Sequence, residues 1–236
     1  MIAVPECRPA PLNGVNPRIA RYATVTLDCV SVRRAETEDD FAVVAALRRA
    51  GFSRVTDQDP DTVAWLDDVD RAKGTFSLIA QINGEDIGTL RVQDGRHGPV
   101  ELTQFVDFMP LLGERETPIA QFARLSMLKT PHSPEAMFGL FKAAWRWCFL
   151  EGHGAIVIAT PIWSKAIYDF MFFRGLGTSG EFAHPFARKA IHYTMVLPAQ
   201  DAELIWRTGE QPLCSQFVDI EHPRLTVNGA SVGGPT

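Results

Sequence analysis

The residues from Ile119 to Leu128, IAQFARLSML, alternate apolar and polar positions and then run apolar, the pattern of a strand half covered and then buried. Ten residues on, Phe138, Phe141, Trp145, Cys148 and Phe149 recur at three- and four-residue steps, one face of a helix. A second apolar run, Ala155-Ile-Val-Ile-Ala159, follows. Strand, helix, strand predicts a βαβ unit, a parallel pair buried under its crossover helix. Ser133-Pro134 marks the helix start as cap and first helical residue. Glu151-Gly152 marks its end, because glycine tolerates the left-handed conformation just past a last turn.

Outside this unit the patterning is shorter. Val25–Arg33 alternates as a strand. Thr37 can cap a helix, Asp39 and Asp40 suit its first turn, and Phe41, Val44, Leu47 and Arg48 then share one face up to Gly51. Gln58–Asp70 reads as a loop and a short helix after Pro60. Phe76–Ala80 and Ile87–Val92 flank Asn83-Gly84 and predict an antiparallel hairpin with a loop somewhat longer than two residues. Gly95–Gly98 is a turn, Val100–Leu112 suits either a strand or a short helix, and Gly113–Thr117 is a charged loop. Ile162–Phe173 reads as a helix containing Tyr168, stopped by Gly175 and Gly177. Ala190–Leu197 is a last strand, and Asp201–Arg207 adds a helical turn or two. The order predicts a mixed α/β (α+β) domain over residues 23–200, with a mixed twisted sheet and helices on both faces. An irregular, proline-rich arm at 1–22 precedes it. An extension at 201–236 follows, with Leu225–Thr236 a frayed, glycine-rich tail.

Composition narrows the classes. The net charge of −5 argues against a nucleic-acid surface. Cys7, Cys29, Cys148 and Cys214 form no CxxC pair, so free thiols in a reducing compartment are expected. His97, His132, His153, His184, His192 and His222 show no metal-ligand spacing, and no metal is expected. Ser126 lacks the surroundings of a nucleophile elbow, so no covalent acyl-enzyme is expected. No apolar run approaches the ~18 residues of a membrane span. The first residues, MIAVPECRPAPLNG, lack the basic and apolar blocks of a signal peptide, which together predict a cytoplasmic protein.

Four stretches then fall into a recognisable order: Arg48-xxx-Phe52, Asp67-xx-Asp70, GTLRV at Gly88–Val92 and QFARL at Gln121–Leu125. They resemble the ordered motifs of the acyl-homoserine-lactone synthases, and more closely those of the related N-acyl amino acid synthases. Both groups have the GNAT acyltransferase fold. LFKAAWRWCFLEG, ending at Gly152, and IYDFMFFRGLG, ending at Gly177, resemble later parts of the second group. The likeness spans about Val30 to Pro198. It implies transfer of a fatty acyl group from a thioester, usually on acyl carrier protein, to an amine. It also places Arg48, Phe52, Asp67, Asp70, Arg91 and Arg124 on the acceptor side. One position departs from the pattern: the glutamate three residues before the strand arginine is Gln121 here, which cannot act as a base.

Aminolysis of a thioester needs a neutral amine, an aligned carbonyl and a proton for the leaving thiolate. In the GNAT fold two parallel strands splay, here Gln121–Met127 and Ala155–Thr160, and the pantetheine arm fills the gap as an extra strand. Phe122, Leu125, Ser126, Met127, Ala159 and Thr160 would line that arm. Tyr168, in the helix after the second strand, suits a proton donor to sulfur or a plainly buried phenol. Asp67 and Asp70 could bind the acceptor ammonium or order Arg48 and Arg91. Arg124 could hold an acceptor carboxylate or close the cleft as a salt bridge. Phe52, Trp65, Phe105, Phe108 and Met109 suit an acyl tunnel or ordinary core.

The segment Lys129–Glu135 has no glycine, which argues against a pyrophosphate grip and for a carrier-protein donor over coenzyme A. Lys142 and Arg146, four apart on the crossover helix opposite its apolar stripe, are either a solvated face or, with Lys165 and Arg174, a docking face for an acidic carrier protein. No permanently bound cofactor is expected, the acyl-phosphopantetheine thioester being a co-substrate. The leading expectation is an N-acyltransferase from acyl carrier protein to an amino acid or similar amine. The alternatives are a coenzyme A-dependent N-acetyltransferase and a catalytically silent acyl-binding module.

Overall fold

A computed structural model describes residues 6–7, 17–53, 56, 59, 61, 63–185, 187, 190–227 and 230–231. One turn of helix, α1 (Pro17–Ala20), precedes the first strand, β1 (Val30–Arg34). That strand starts later than the alternation predicts, because the Val30 amide closes a turn on the Leu27 carbonyl at 3.0 Å. Thr37 caps α2 (Glu38–Phe52) in a reciprocal box with Asp40. Strands β2 (Thr75–Ile82) and β3 (Glu85–Asp94) meet at Asn83-Gly84, where φ is 53° and 85°. Positive φ at both positions makes the tight hairpin turn whose twist matches its strands. The connection is therefore two residues long, shorter than expected, because both strands run past their apolar centres. The expected helix after Pro60 lies partly outside the described residues; a 3-10 turn follows at Asp68–Arg71.

The ambiguous run after Gly98 resolves into 3-10 turns at Glu101–Gln104 and Met109–Leu111. Strand β4 (Ile119–Met127), helix α3 (Ser133–Leu150) and strand β5 (Ala155–Pro161) form the expected βαβ unit. His132, not Ser133, takes the cap position, and the Ser133 hydroxyl instead accepts the Thr130 amide at 3.0 Å. Gly152, at φ 73°, ends α3 as predicted. Helix α4 (Ile162–Phe170) ends before Phe173, where Phe172 adopts φ 63°. Short strands β6 (Arg174–Gly175) and β7 (Glu181–Ala183), the long β8 (Ile191–Pro198) and helix α5 (Ala202–Thr208) follow. The sheet runs β1-β2-β3-β4-β5-β8-β6, with β7 also on β8, and is antiparallel except between β4 and β5.

The extension is part of the body, not an appendage. Trp145 donates to the Ala199 carbonyl, and Trp206 and Phe217 pack against its ring at 4.7 and 6.5 Å. Lys142 and Arg146 are consequently buried, at 3% and 4% exposure, which corrects the exposed basic face. The Lys142 ammonium donates to the Gln216 and Ile220 carbonyls at 2.7 and 2.6 Å and meets His222 Nδ1 at 2.8 Å. A helix covered on two sides leaves its polar positions no water, so each must find internal acceptors. The frayed tail is corrected in part. Leu225 is buried and bridges Val32, and the Val32 amide binds the Arg224 carbonyl at 2.9 Å. Cys7 and Cys214 form a disulfide, so only Cys29 and Cys148 are free thiols. No helix among the described residues is long and apolar enough to cross a membrane.

Candidate active site

Strands β4 and β5 pair only from Ile119 opposite Ala155 to Phe122 opposite Ile158. Past that point they part. Arg124 adopts φ 53°, and the register against β3 slips by one residue between Arg91–Ala123 and Thr89–Ser126. This is a β-bulge, which bends and twists the strand that carries it. Strand β5 instead stays paired with β8 to its end, Pro161 opposite His192. The gap opens into a cavity of about 560 Å³. Leu90, Phe122, Met137, Phe141, Ile158 and Ile167 form apolar wall, while Asp67, Glu101, Arg124 and His184 gather charge and polarity on another part.

The charged end is a closed ring. Arg91 reaches Asp67 at 2.7 Å and Glu101 at 2.5 Å; Arg124 reaches the same two carboxylates at 3.2 and 2.8 Å. Behind the ring Arg48 grips Asp70 with two bonds of 2.8 and 2.7 Å and donates also to Ser77 Oγ and the Trp65 carbonyl. Three arginines thus meet three acids, which is how buried charges are tolerated. Burial raises the Asp70 pKa, but the Arg48 hydrogen bonds and charge prevail and hold it at about 2. Burial likewise pushes Glu101 up, and Arg124 with Arg91 brings it below the usual carboxylate range.

Gln121 is buried, and its side-chain oxygen accepts the Leu102 amide at 2.8 Å. Tyr168 lines the cavity with its ring between Phe141 and Phe173, and burial raises its phenol well above the usual value. Facing the ring of charges, Phe105 stacks on Phe182 at 5.6 Å, and His184 and His192 lie 4.7 Å apart. Burial, His192 and Arg124 push the His184 pKa down to about 4, and burial lowers His192.

The expected residues divide. Arg48, Phe52, Asp67, Gln121, Phe122, Arg124, Leu125, Ala159, Thr160 and Tyr168 line the cavity, as do Trp65 and Phe105. Asp70 and Arg91 stand behind it as braces, with Arg91 fully buried. Ser126 turns away to donate to the Leu47 carbonyl at 2.7 Å, and Met127 lies against Gly88. Phe108 belongs to a separate buried cluster, and Met109 is exposed. Lys165 is paired with Asp169 at 2.7 Å and Arg174 with Glu116 at 2.6 Å. The sequence reading missed Glu101, His184 and His192. Glu101 lay inside a run of undecided structure, and the histidines lie on the β7–β8 connection and the start of β8, brought to the cavity only by the fold. No group of side chains that could hold a metal occurs among the described residues.

No sequence-family model matches the chain, and neither does any curated protein sequence. Solved structures do match. FeeM, an N-acyl amino acid synthase from uncultured soil microbes, superposes with a TM-score of 0.60 at 14% identity, over 80% of this chain and 98% of FeeM. TofI, solved in a ternary complex with an inhibitor and MTA, gives 0.55 at 14% identity, over 78% and 98%. The AHL synthase LasI gives 0.51 at 16% identity, over 73% and 92%. The bulged β4, the parting of β4 from β5 and these superpositions agree: the chain has the GNAT acyltransferase fold.

Proposed function

We propose that this chain is an N-acyltransferase that moves a fatty acyl group from a phosphopantetheine thioester to the amine of an amino acid or similarly small acceptor. The observation that carries the reading is the gap between β4 and β5, continuous with a cavity that has an apolar wall and a charged end. An acyl thioester needs both: apolar surface for the chain and a polar pocket for a charged acceptor. The pantetheine arm pairs with backbone in the gap, which aligns the carbonyl without a dedicated side chain. Arg124, whose guanidinium is partly exposed, faces the acceptor carboxylate, with Asp67 and Glu101 beside it for the ammonium. The neutral amine nitrogen bonds to the carbonyl carbon, the carbon–sulfur bond breaks, Tyr168 gives its phenolic proton to the departing sulfur, and the proton that nitrogen sheds on becoming an amide restores the phenol through water. Burial keeps the phenol protonated but makes it a weaker acid, so the transfer proceeds only as thiolate charge develops beside it.

The loop before α3 favours a carrier-protein donor. Its amides are spent internally: Thr130 on Ser133 Oγ, His132 on Thr130 Oγ1 and Ser133 on the Thr130 carbonyl. Pro131 and Pro134 have no amide to offer, and Glu135 adds negative charge to the first turn. A pyrophosphate finds few donors there, whereas the single phosphate of a carrier-bound arm asks for fewer. The test is incubation with acyl carrier protein thioesters or acyl-coenzyme A, each with pooled amino acids, and mass spectrometry for N-acyl products. Product from carrier-protein thioesters supports the reading. Turnover of coenzyme A thioesters alone moves the donor to coenzyme A. No product from either donor, with acyl ligands bound, leaves an acyl-binding module.

A further inference from the structure

Aminolysis takes one proton from nitrogen and gives one to sulfur, and the two atoms are served from opposite faces of the sheet. The amine works beside Asp67, Glu101 and Arg124, on the face to which Arg91 points. Tyr168 lies on the other face. Leu90 and Val92, which flank Arg91 on β3 and point away from it, share one cluster with Phe141, Ile158 and Tyr168. A phenol that has protonated sulfur is left as a buried anion, which is costly until a proton returns. Thr160 and Ser164 also line the cavity. Thr160 is on the face of β5 that Ile158 shares, and Ser164 lies one turn before Tyr168 on α4. Their hydroxyl oxygens are 2.9 Å apart, and either can donate to the other. Each also reaches the Pro161 carbonyl, at the longer distances of 3.4 and 3.3 Å. A helical side chain leans toward its helix N-terminus, so a ring at Tyr168 lies back over the turn that carries Ser164. Among the described residues the Tyr168 hydroxyl has no hydrogen-bond partner.

We propose that the Thr160–Ser164 hydroxyl pair carries the proton shed by nitrogen back to Tyr168. The inference rests on the acyltransferase reading above. As the carbon–sulfur bond breaks, Tyr168 gives its proton to the thiolate. The new amide nitrogen gives a proton to a water in the gap, and the water passes one to Thr160. Thr160 gives its own hydroxyl proton to Ser164, and Ser164 gives its own to the phenolate. Each hydroxyl accepts one proton and releases one, so neither holds a lasting charge and neither has to be a strong acid or base. A hydroxyl suits this task because it both donates and accepts. The other residues that β5 and α4 turn to the cavity, Ile158, Ala159, Pro161, Trp163 and Ile167, have side chains that cannot do both. Thr160 and Ser164 act through Tyr168 and not on a reacting atom, which makes them positioning residues.

The test measures kcat and donor KM for wild type, Ser164→Ala, Thr160→Val, Ser164→Thr, Tyr168→Phe and the double variant Ser164→Ala with Tyr168→Phe. Each is assayed with an alkyl and an aryl thioester and one amino acid. With the alkyl donor, Ser164→Ala and Thr160→Val should each lose about tenfold in kcat with KM unchanged. That is less than the loss of the acid itself, because loose water takes over part of the return. Ser164→Thr, which restores a hydroxyl, should recover most of the Ser164→Ala loss. The double variant should be no slower than Tyr168→Phe alone, since a relay to an absent hydroxyl has nothing to carry. With the aryl donor, whose thiolate leaves unaided, the losses should shrink. Additive losses in the double variant, equal losses with both donors, or full rates in Ser164→Ala and Thr160→Val overturn the inference alone. A wild type that consumes no thioester overturns the acyltransferase reading and this inference with it.

Discussion

The Gln121 side-chain oxygen accepts the Leu102 amide at 2.8 Å, and Leu102 is the residue after Glu101. This bond ties β4 to the 3-10 turn that delivers Glu101 to Arg91 and Arg124. The glutamine is therefore a fastening for the charged ring. Gln121→Leu leaves a buried amide without an acceptor, which costs about 1–3 kcal/mol. In a domain of this size that is a fall in Tm of roughly 2–4 °C for each kcal/mol. Gln121→Glu keeps an acceptor but adds a carboxylate next to the turn that carries Glu101, where three acids are already gathered. It should fold and turn over more slowly than wild type, as followed by melting curves and steady-state rates. A large gain in turnover would show that glutamate is the working residue and that the present one is a loss.

Asp70 and Arg48 make a deeply buried ion pair at the site, with side chains 1% and 2% exposed. Asp70→Asn removes the charge that Arg48 faces and should cost about 3–5 kcal/mol, since breaking a buried pair strands its partner. The exposed pair of Arg71 and Glu38 should contribute far less, because water screens it. Asp70 titrates near 2 in the folded chain, below the roughly 3.9 of an unfolded aspartate. Its contribution is therefore complete above about pH 4 and disappears as the pH falls through about 2. Denaturant unfolding across that range should show a steeper loss for wild type than for Asp70→Asn.

The residues explain which features were legible beforehand. The βαβ unit was readable because its apolar runs are long and of a single period, and β4, α3 and β5 follow them closely. The cap at Thr37 and the stop at Gly152 were readable because each depends on one residue's local chemistry. The burial of Lys142 was not, because it depends on a segment some seventy residues further along folding back over α3. The Cys7–Cys214 pairing spans 207 residues and leaves no trace in spacing. The family-like motifs located Arg48, Asp67 and Arg124 at the cavity, but motif order cannot separate a lining residue such as Asp67 from a brace such as Asp70.

Lys142 sets a prediction of the same sign at alkaline pH. Burial, then the neighbouring Arg146 charge, depress its pKa to about 8 from 10.5. Between those values the unfolded chain holds the proton that the folded chain has released, so stability from this group rises with pH. Wild type should thus gain stability relative to Lys142→Met as the pH increases from about 8 to 10.5, a difference readable from paired denaturant titrations. Below pH 8 the ammonium remains and its bonds to Gln216, Ile220 and His222 offset the burial. A difference that is flat with pH would mean the amine is better solvated than its 3% exposure implies.

Tyr168→Phe separates the proposed acid from mere packing. The ring makes edge contacts with Phe141 and Phe173, at 5.8 and 5.7 Å, and phenylalanine preserves both. Melting should be nearly unchanged, while kcat with a pantetheine thioester falls about 10²-fold, the usual worth of one positioned acid. The size of that loss should track the leaving group. An alkyl thiolate is basic and needs a proton as the carbon–sulfur bond breaks; an aryl thiolate is weakly basic and leaves unaided. Replacing the donor with an aryl thioester should therefore close most of the gap between variant and wild type. Equal losses with both donors would mean that the hydroxyl shapes the cavity instead of supplying a proton.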